Sequence, residues 1–386
     1  KMFDYIIVGA GLAGSVIAER ISNVLDKKVL LIEKRNHIGG NCYDYTDSNG
    51  IQVHKYGPHV FRTHLEHVYE YLSQFTDWNI YQYEVLGSID GNKVPIPFNL
   101  NTLYELLPEN LAEKLEKKLI THFGYDVKVP ILELIKKEDK DLKFLADYIY
   151  EKVFLNYTIK QWGFKPEDLD PSVTGRVPVF ISRDNRYFQE KYQGIPKNGY
   201  TKLFERMLYN PNIKIMLNTD YNEIIDINQD GIYVFDNKYD GKIIFTGEID
   251  EFFKYSHGKL PYRTLNFKFE TIEQEYFQEV ATVNYPNNHN FTRITEFKHF
   301  NPIKSSKTTI AKEYSYFCNK KIKGKDTPYY PIARDENQEL YEKYKNEAKL
   351  LDKVIFVGRL AEYKYYNMDN VVESALNVFK EKIIND

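Results

Sequence analysis

The sequence predicts a three-part fold, α/β + α + β: a βαβ dinucleotide-binding unit, a helical domain and an antiparallel β-sheet domain. Three observations predict it. A short apolar run meets a glycine-rich turn and an amphipathic helix at the start of the chain, leucines at helical spacing take over beyond residue 100, and short β-rich runs dominate from about 177 to 312.

In order along the chain, residues 3–8 read as a buried strand, 9–14 as a tight turn and 15–25 as a helix with Val16, Ile17, Ile21 and Leu25 on its apolar face. A second strand at 29–33 completes a βαβ beginning, which implies a parallel sheet. Leu111, Leu115 and Leu119, then Leu142, Leu145, Ile149 and Val153, carry the helical spacing. Runs at 213–217, 232–235, 243–246 and 308–311 suggest an antiparallel sheet, with 228–241 as an exposed hairpin around one apolar run. The basic, glycine-containing stretch 320–325 reads as a solvated turn. A last buried strand at 354–357 ends on Gly358, and 369–384 reads as a closing helix. These readings place a discontinuous dinucleotide domain at 1–100 and 330–386 with part of 196–260, a helical domain at 101–160, and a sheet domain at 161–195 and 261–329.

With 386 residues the chain is long enough to bury a large core. Its 52 Lys and Arg against 55 Asp and Glu leave a net charge of -3, so no overall field favours nucleic acid. Cys42 and Cys318 are too few for a disulfide framework, which fits a reducing cytoplasm. The first apolar run is too short for a secretion signal, and nothing approaches the roughly 20 apolar residues of a membrane span. His64 and His67, spaced H-x-x-H, have no cysteine beside them and read as a solvated helix face, so no metal is expected.

The turn Gly9-Ala10-Gly11-Leu12-Ala13-Gly14 is G-x-G-x-x-G between strand and helix. Gly9 makes the turn, Gly11 admits a pyrophosphate to the backbone, and Gly14 lets helix and strand pack closely. The helix N-terminus adds free N–H groups and dipole charge. Glu33 supplies the ribose acceptor of a Rossmann-like domain. The following run, Lys34 to Asn41 with Gly39 and Gly40, resembles the E-x-x-x-x-x-G-G signature of glutathione reductase-type flavoenzymes, which makes the expected cofactor FAD. Gly358-Arg359 and the helix beginning near Asp369, with Met368 just before it as a cofactor contact, are placed to set positive charge beside an anionic reduced flavin.

Further words run through the chain: Lys55-Tyr56-Gly57-Pro58-His59-Val60-Phe61, Lys160-Gln161-Trp162-Gly163, Tyr192-Gln193-Gly194-Ile195-Pro196, Thr292-Arg293-Ile294, Lys312-Glu313-Tyr314, Pro328-Tyr329-Tyr330-Pro331 and Gly358-Arg359-Leu360-Ala361-Glu362-Tyr363. Together they resemble the bacterial UDP-galactopyranose mutase family. The resemblance implies a cytoplasmic homodimer, served by an unidentified flavin reductant, whose reduced FAD attacks the sugar's anomeric carbon through N5 with loss and return of UDP. It implies phosphate contacts from Arg176, Arg293, Tyr330 and Tyr365. It places Tyr157, Thr158, Trp162 and Tyr187 along the sugar and uridine, and His59 and Arg359 at the flavin, with Tyr192 a weaker candidate. Arginines suit a diphosphate because the planar guanidinium stays charged and donates two hydrogen bonds at once.

One position departs from the pattern. Three residues after His59 many members carry a second histidine, where this chain has Arg62. Its extra donors suggest acceptance of UDP-N-acetylgalactosamine beside UDP-galactose; the alternative is a neutral replacement. Two competing readings are an FAD-dependent amine oxidase or desaturase, which leaves Arg176 and Arg293 without a purpose, and a flavin-free GDP dissociation inhibitor, which leaves the intact glycines and Glu33 without one.

Overall fold

The computed structural model describes residues 3–385. Strand β1 (Tyr5–Val8), helix α1 (Leu12–Leu25) and strand β2 (Val29–Ile32) form the predicted βαβ start, with both strands fully buried because each has apolar layers on its two faces. They sit in a five-stranded, all-parallel sheet of order Ile213–Met216, β2, β1, Lys242–Phe245 and Val354–Phe356. Two of the runs assigned to an antiparallel sheet, 213–217 and 243–246, therefore belong here. A four-residue β-branched run does not reveal which sheet takes it.

One face of this sheet packs on α1 and on the helix α2 (Met368–Val378), which continues as a wider π turn over Phe379–Ile383. The other face is covered by a three-stranded meander, Ile225–Asn228, Gly231–Val234 and Asn237–Tyr239, where a single hairpin was expected.

The second large sheet has seven strands in the order Tyr330–Pro331, Tyr262–Ile272, Thr308–Phe317, Arg293–Glu296, Thr282–Asn284, Val85–Ile89 and Asn92–Ile96. It is antiparallel apart from one parallel pair, Thr282–Asn284 on Val85–Gly87. Residues 85–96 thus leave the first-hundred-residue unit in which the sequence reading placed them. Residues 161–195 also contribute no strand to this sheet: Val179–Ile181 pairs with Val127–Val129, and Tyr192–Pro196 with Phe61–Thr63 and Trp78–Ile80.

Helices Glu109–Phe123 and Lys140–Ile149 cover an end of this sheet through Leu115, Leu119, Leu142 and Leu145, all buried. A π turn at Tyr150–Leu155 then leads into the helix α3 (Asn156–Trp162), which lies against the Thr308–Phe317 strand. Such widened turns redirect a helix, and they recur at functional sites.

Candidate active site

The fingerprint turn borders a cavity of about 400 Å³. Gly9, Gly11, Leu12, Gly39, Gly40 and Asn41 form one wall. A β-carbon on Gly9 would lie 2.0 Å from Thr246 Oγ1, and one on Gly40 2.9 Å from the Gly11 Cα, so the Thr246 side chain and the Gly11 backbone occupy the space that a larger residue would need. Gly14 stands behind the wall: a β-carbon there would lie 1.9 Å from the Gly9 carbonyl oxygen, which makes it the helix–strand packing glycine. Gly11 caps α1 without a side chain, leaving the first-turn N–H groups for a ligand.

Glu33 and Lys34 border the same cavity. The Glu33 carboxylate accepts the Ala10 N–H at 2.9 Å and the Arg35 N–H at 2.9 Å, which ties the turn to the end of β2. Each oxygen keeps a second lone pair for a ribose hydroxyl. At the opposite side lie His59, Arg359 and Met368. Arg359 donates to the carbonyls of Tyr329, at 3.2 Å, and Tyr366. The His59 Nδ1–H donates to the Gly57 carbonyl at 2.8 Å, and burial holds this ring neutral, with its pKa pushed down to about 3. An imidazole so placed orients and accepts; it does not serve as a general acid near neutral pH.

Beyond Arg359 the site becomes aromatic. Tyr365 packs against Trp162 with centroids 5.2 Å apart and against Tyr330 at 5.2 Å, and Trp162 meets Tyr330 at 4.8 Å. Two guanidiniums share the Tyr365 ring: Arg176 lies 3.7 Å from its centroid and Arg359 5.5 Å. Arg176 also donates to the Tyr365 carbonyl at 2.9 Å and to Asn367 Oδ1 at 2.8 Å. The residues before it form the short helix Pro171–Thr174 capped by Asp170.

Arg293 comes from the large sheet and pairs through Nε with Glu313 Oε2 at 3.0 Å, directly across the neighbouring strand. Tyr83, Tyr157 and Tyr187 lie close to it. Burial raises the phenol pKa of Tyr157, and that of Tyr187 to about 12, so both stay protonated donors. Thr158 and Trp162 ride with Tyr157 on α3.

One candidate falls elsewhere. Tyr192 stacks on Tyr69, 4.1 Å away, and donates to Glu66 at 2.7 Å on the outer surface. His67 there meets Glu373 at 3.4 Å, and His64 accepts the Lys191 N–H. Arg62 lies 3.5 Å over the Phe188 ring, beside Tyr187, and donates to Glu190. The sequence reading missed Tyr329, Glu248, Glu251 and the 326–328 segment, all of which wall the cavity. The repeated Pro328-Tyr329-Tyr330-Pro331 aromatics were the one available signal for them.

Similarity to known proteins agrees with this geometry. A family model described as UDP-galactopyranose mutase matches residues 152–365, and one described as an NAD(P)-binding Rossmann-like domain matches residues 7–75. The chain is 36% identical to a probable UDP-galactopyranose mutase of Klebsiella pneumoniae, over 98% of this chain and 94% of the relative. It is 34% identical to a dTDP-fucopyranose mutase of Escherichia coli, over 97% of each. Among solved structures, a reduced UDP-galactopyranose mutase matches with a TM-score of 0.75 at 16% identity, covering 100% of this chain and 95% of that one. Wild-type putrescine oxidase with bound putrescine matches at 0.61 and 11% identity, covering 99% of each, a likeness of fold. With this similarity running from end to end, and the fingerprint cavity opening toward paired arginines among tyrosines, the chain belongs to the UDP-galactopyranose mutase family of isomerases.

Proposed function

We propose that the protein interconverts the pyranose and furanose forms of UDP-galactose, using FAD in its reduced state. The observation that carries this reading is the placement of Arg176, Arg293 and Arg359 around Trp162, Tyr330 and Tyr365 at the end of the dinucleotide cavity marked by His59. The residues fit FAD: an uncapped α1 N-terminus for its pyrophosphate, Glu33 for its ribose, and Arg359 with the α2 N-terminus at Met368 for an anionic ring. Reduced FAD supplies the nucleophile, at N5, that the reaction requires and no side chain here provides.

The chain's own task is to hold the nucleotide sugar and stabilise the departing diphosphate. Arg176 and Arg293 bring permanent charge, and Tyr330 and Tyr365 add neutral donors. Trp162 and Tyr157 offer flat faces to a uracil ring or the apolar side of a sugar. Retention of UDP near Arg176 lets the same diphosphate return after the ring has reclosed through another hydroxyl.

The identity of the sugar rests on Arg62. Its Nη1 is engaged by Glu190 and its plane by Phe188, which leaves its other donors beside Tyr187 for an N-acetyl carbonyl. Acceptance of UDP-N-acetylgalactosamine follows from this second reading. Turnover of UDP-galactose, UDP-N-acetylgalactosamine and dTDP-fucose by wild type and Arg62→His tests both. The proposal expects UDP-galactose to be used by both proteins and the N-acetyl sugar to lose on the order of tenfold in kcat/KM on substitution. Equal selectivity in the two proteins removes the Arg62 reading, and a preference for the dTDP sugar removes the UDP-galactose reading.

A further inference from the structure

The dinucleotide cavity is bordered on one side by a segment that carries none of the fingerprint residues. After the Thr308–Phe317 strand, residues 318–329 turn back on themselves, with the Asn319 N–H donating to the Lys325 carbonyl at 2.6 Å, and then run along the cavity, where Asp326, Thr327, Pro328 and Tyr329 line it. Lys320, in the loop read from sequence as a solvated turn, donates instead to two carboxylates, Glu248 and Glu251. Both belong to the parallel-sheet unit, just past the Lys242–Phe245 strand, and both line the cavity. At the segment's other end Tyr329 is tied by Arg359. The stretch that walls the cavity is therefore fastened to the dinucleotide unit on both sides. The turn itself is held to the large sheet by an exposed bond from Asn266 to the Gly324 carbonyl at 3.2 Å.

We propose that Lys320 is a positioning residue for the cofactor: by bridging Glu248 and Glu251 it latches the 318–329 strap across the Glu33 side of the cavity and sets how long the dinucleotide stays bound. This rests on the flavin reading above. The Glu33 side is the adenosine side on this reading: the Thr219 N–H donates to the Glu33 carbonyl at 3.1 Å, and Glu33, Lys34, Asp220 and Tyr221 line the cavity together with Glu248 and Glu251. An exposed lysine pair contributes little. Here, however, Glu248 is only 5% exposed, so losing Lys320 strands a buried carboxylate in the cavity wall. Two effects then act together on a bound pyrophosphate dinucleotide: the strap loses its fastening, and the Glu251 carboxylate in the cavity wall loses its counter-charge.

The test compares holoenzymes of wild type, Lys320→Met, Lys320→Arg and Glu251→Gln. Flavin release is followed by the rise of free-flavin fluorescence after dilution, and strap opening by tryptic cleavage after Lys323 and Lys325. Lys320→Met should release flavin on the order of tenfold faster, with faster cleavage in the strap, while Lys320→Arg restores both and Glu251→Gln falls between. If Lys320→Met does not fold, Glu251→Gln against Lys320→Arg carries the comparison. Equal release rates in all four proteins overturn the inference alone, as does faster release that Lys320→Arg fails to rescue. A wild type that neither contains nor takes up flavin overturns the flavin reading and the latch together.

Discussion

Arg293 shows how one residue is prepared for charge. Its partner Glu313 is 3% exposed, so the ion pair is held out of water and fixes one edge of the guanidinium while the other edge faces the tyrosines. Lysine at this position keeps the charge and loses the fork. Arg293→Lys is expected to lower kcat/KM on the order of a hundredfold, with the loss mainly in kcat; steady-state kinetics under reducing conditions checks this, and values within twofold of wild type contradict it. His54 gives a second residue-level expectation. It is 1% exposed, accepts the His59 N–H at 3.0 Å, and burial pushes its pKa down to about 3. The unfolded chain takes up a proton near pH 6.5 that the folded chain refuses, so stability is fully present above that pH and falls as the pH drops toward 3. The slope is up to about 1.4 kcal/mol per pH unit from this one group. Urea midpoints measured between pH 7 and 5 should fall less in His54→Asn, whose side-chain oxygen still accepts from His59; an unchanged slope contradicts the assignment.

At the scale of an element, α3 is the part on which the site depends. It carries Tyr157, Thr158 and Trp162, and two cations secure it: Lys160 donates to the carbonyls of Tyr285, His289 and Phe291, and buried Arg263 donates to those of Lys160 and Gln161 at the helix C-terminus. Removing Arg263 takes the guanidinium from the Lys160 carbonyl, while the Gln161 carbonyl keeps the Ser315 hydroxyl at 2.6 Å. Arg263→Leu should cost about 2 to 3 kcal/mol, seen as a Tm lowered by several degrees, and should raise KM for the nucleotide sugar; a full-strength Tm with normal KM would show that α3 is held by packing alone. Much of this was readable in advance and some was not. The βαβ start and the leucine-spaced helices were legible because one residue's partners lie within a turn or strand of it. The assignment of 85–96 to the far sheet was not, since alternation fixes which face a strand buries and says nothing of which neighbour it pairs with. Nor was the pairing of Lys320 with Glu248 and Glu251, some 70 residues away, or the tie of Arg176 to the Tyr365–Asn367 loop.

For the whole molecule, two sheets divide the work. The parallel sheet presents strand ends and the α1 N-terminus to a dinucleotide, as open α/β sheets do, and the seven-stranded sheet brings Arg293, Tyr330 and, through α3, Trp162 over the opening. Neither half makes a site alone: Arg359 of the first unit and Tyr329 of the second are joined by a hydrogen bond at the point where the halves meet. A likeness of fold also reaches a protein named putrescine oxidase, so the fold by itself does not fix the reaction; in the proposed reading the cluster of arginines and tyrosines answers the diphosphate leaving group. The measurement that tests this most directly is to incubate the purified protein with UDP-galactose in its oxidised state and after dithionite reduction, and to separate pyranose from furanose by chromatography. Furanose formed only by the reduced protein, with no net consumption of reductant, is the predicted result; absence of furanose in both states, or flavin reoxidation coupled to an amine, would contradict it.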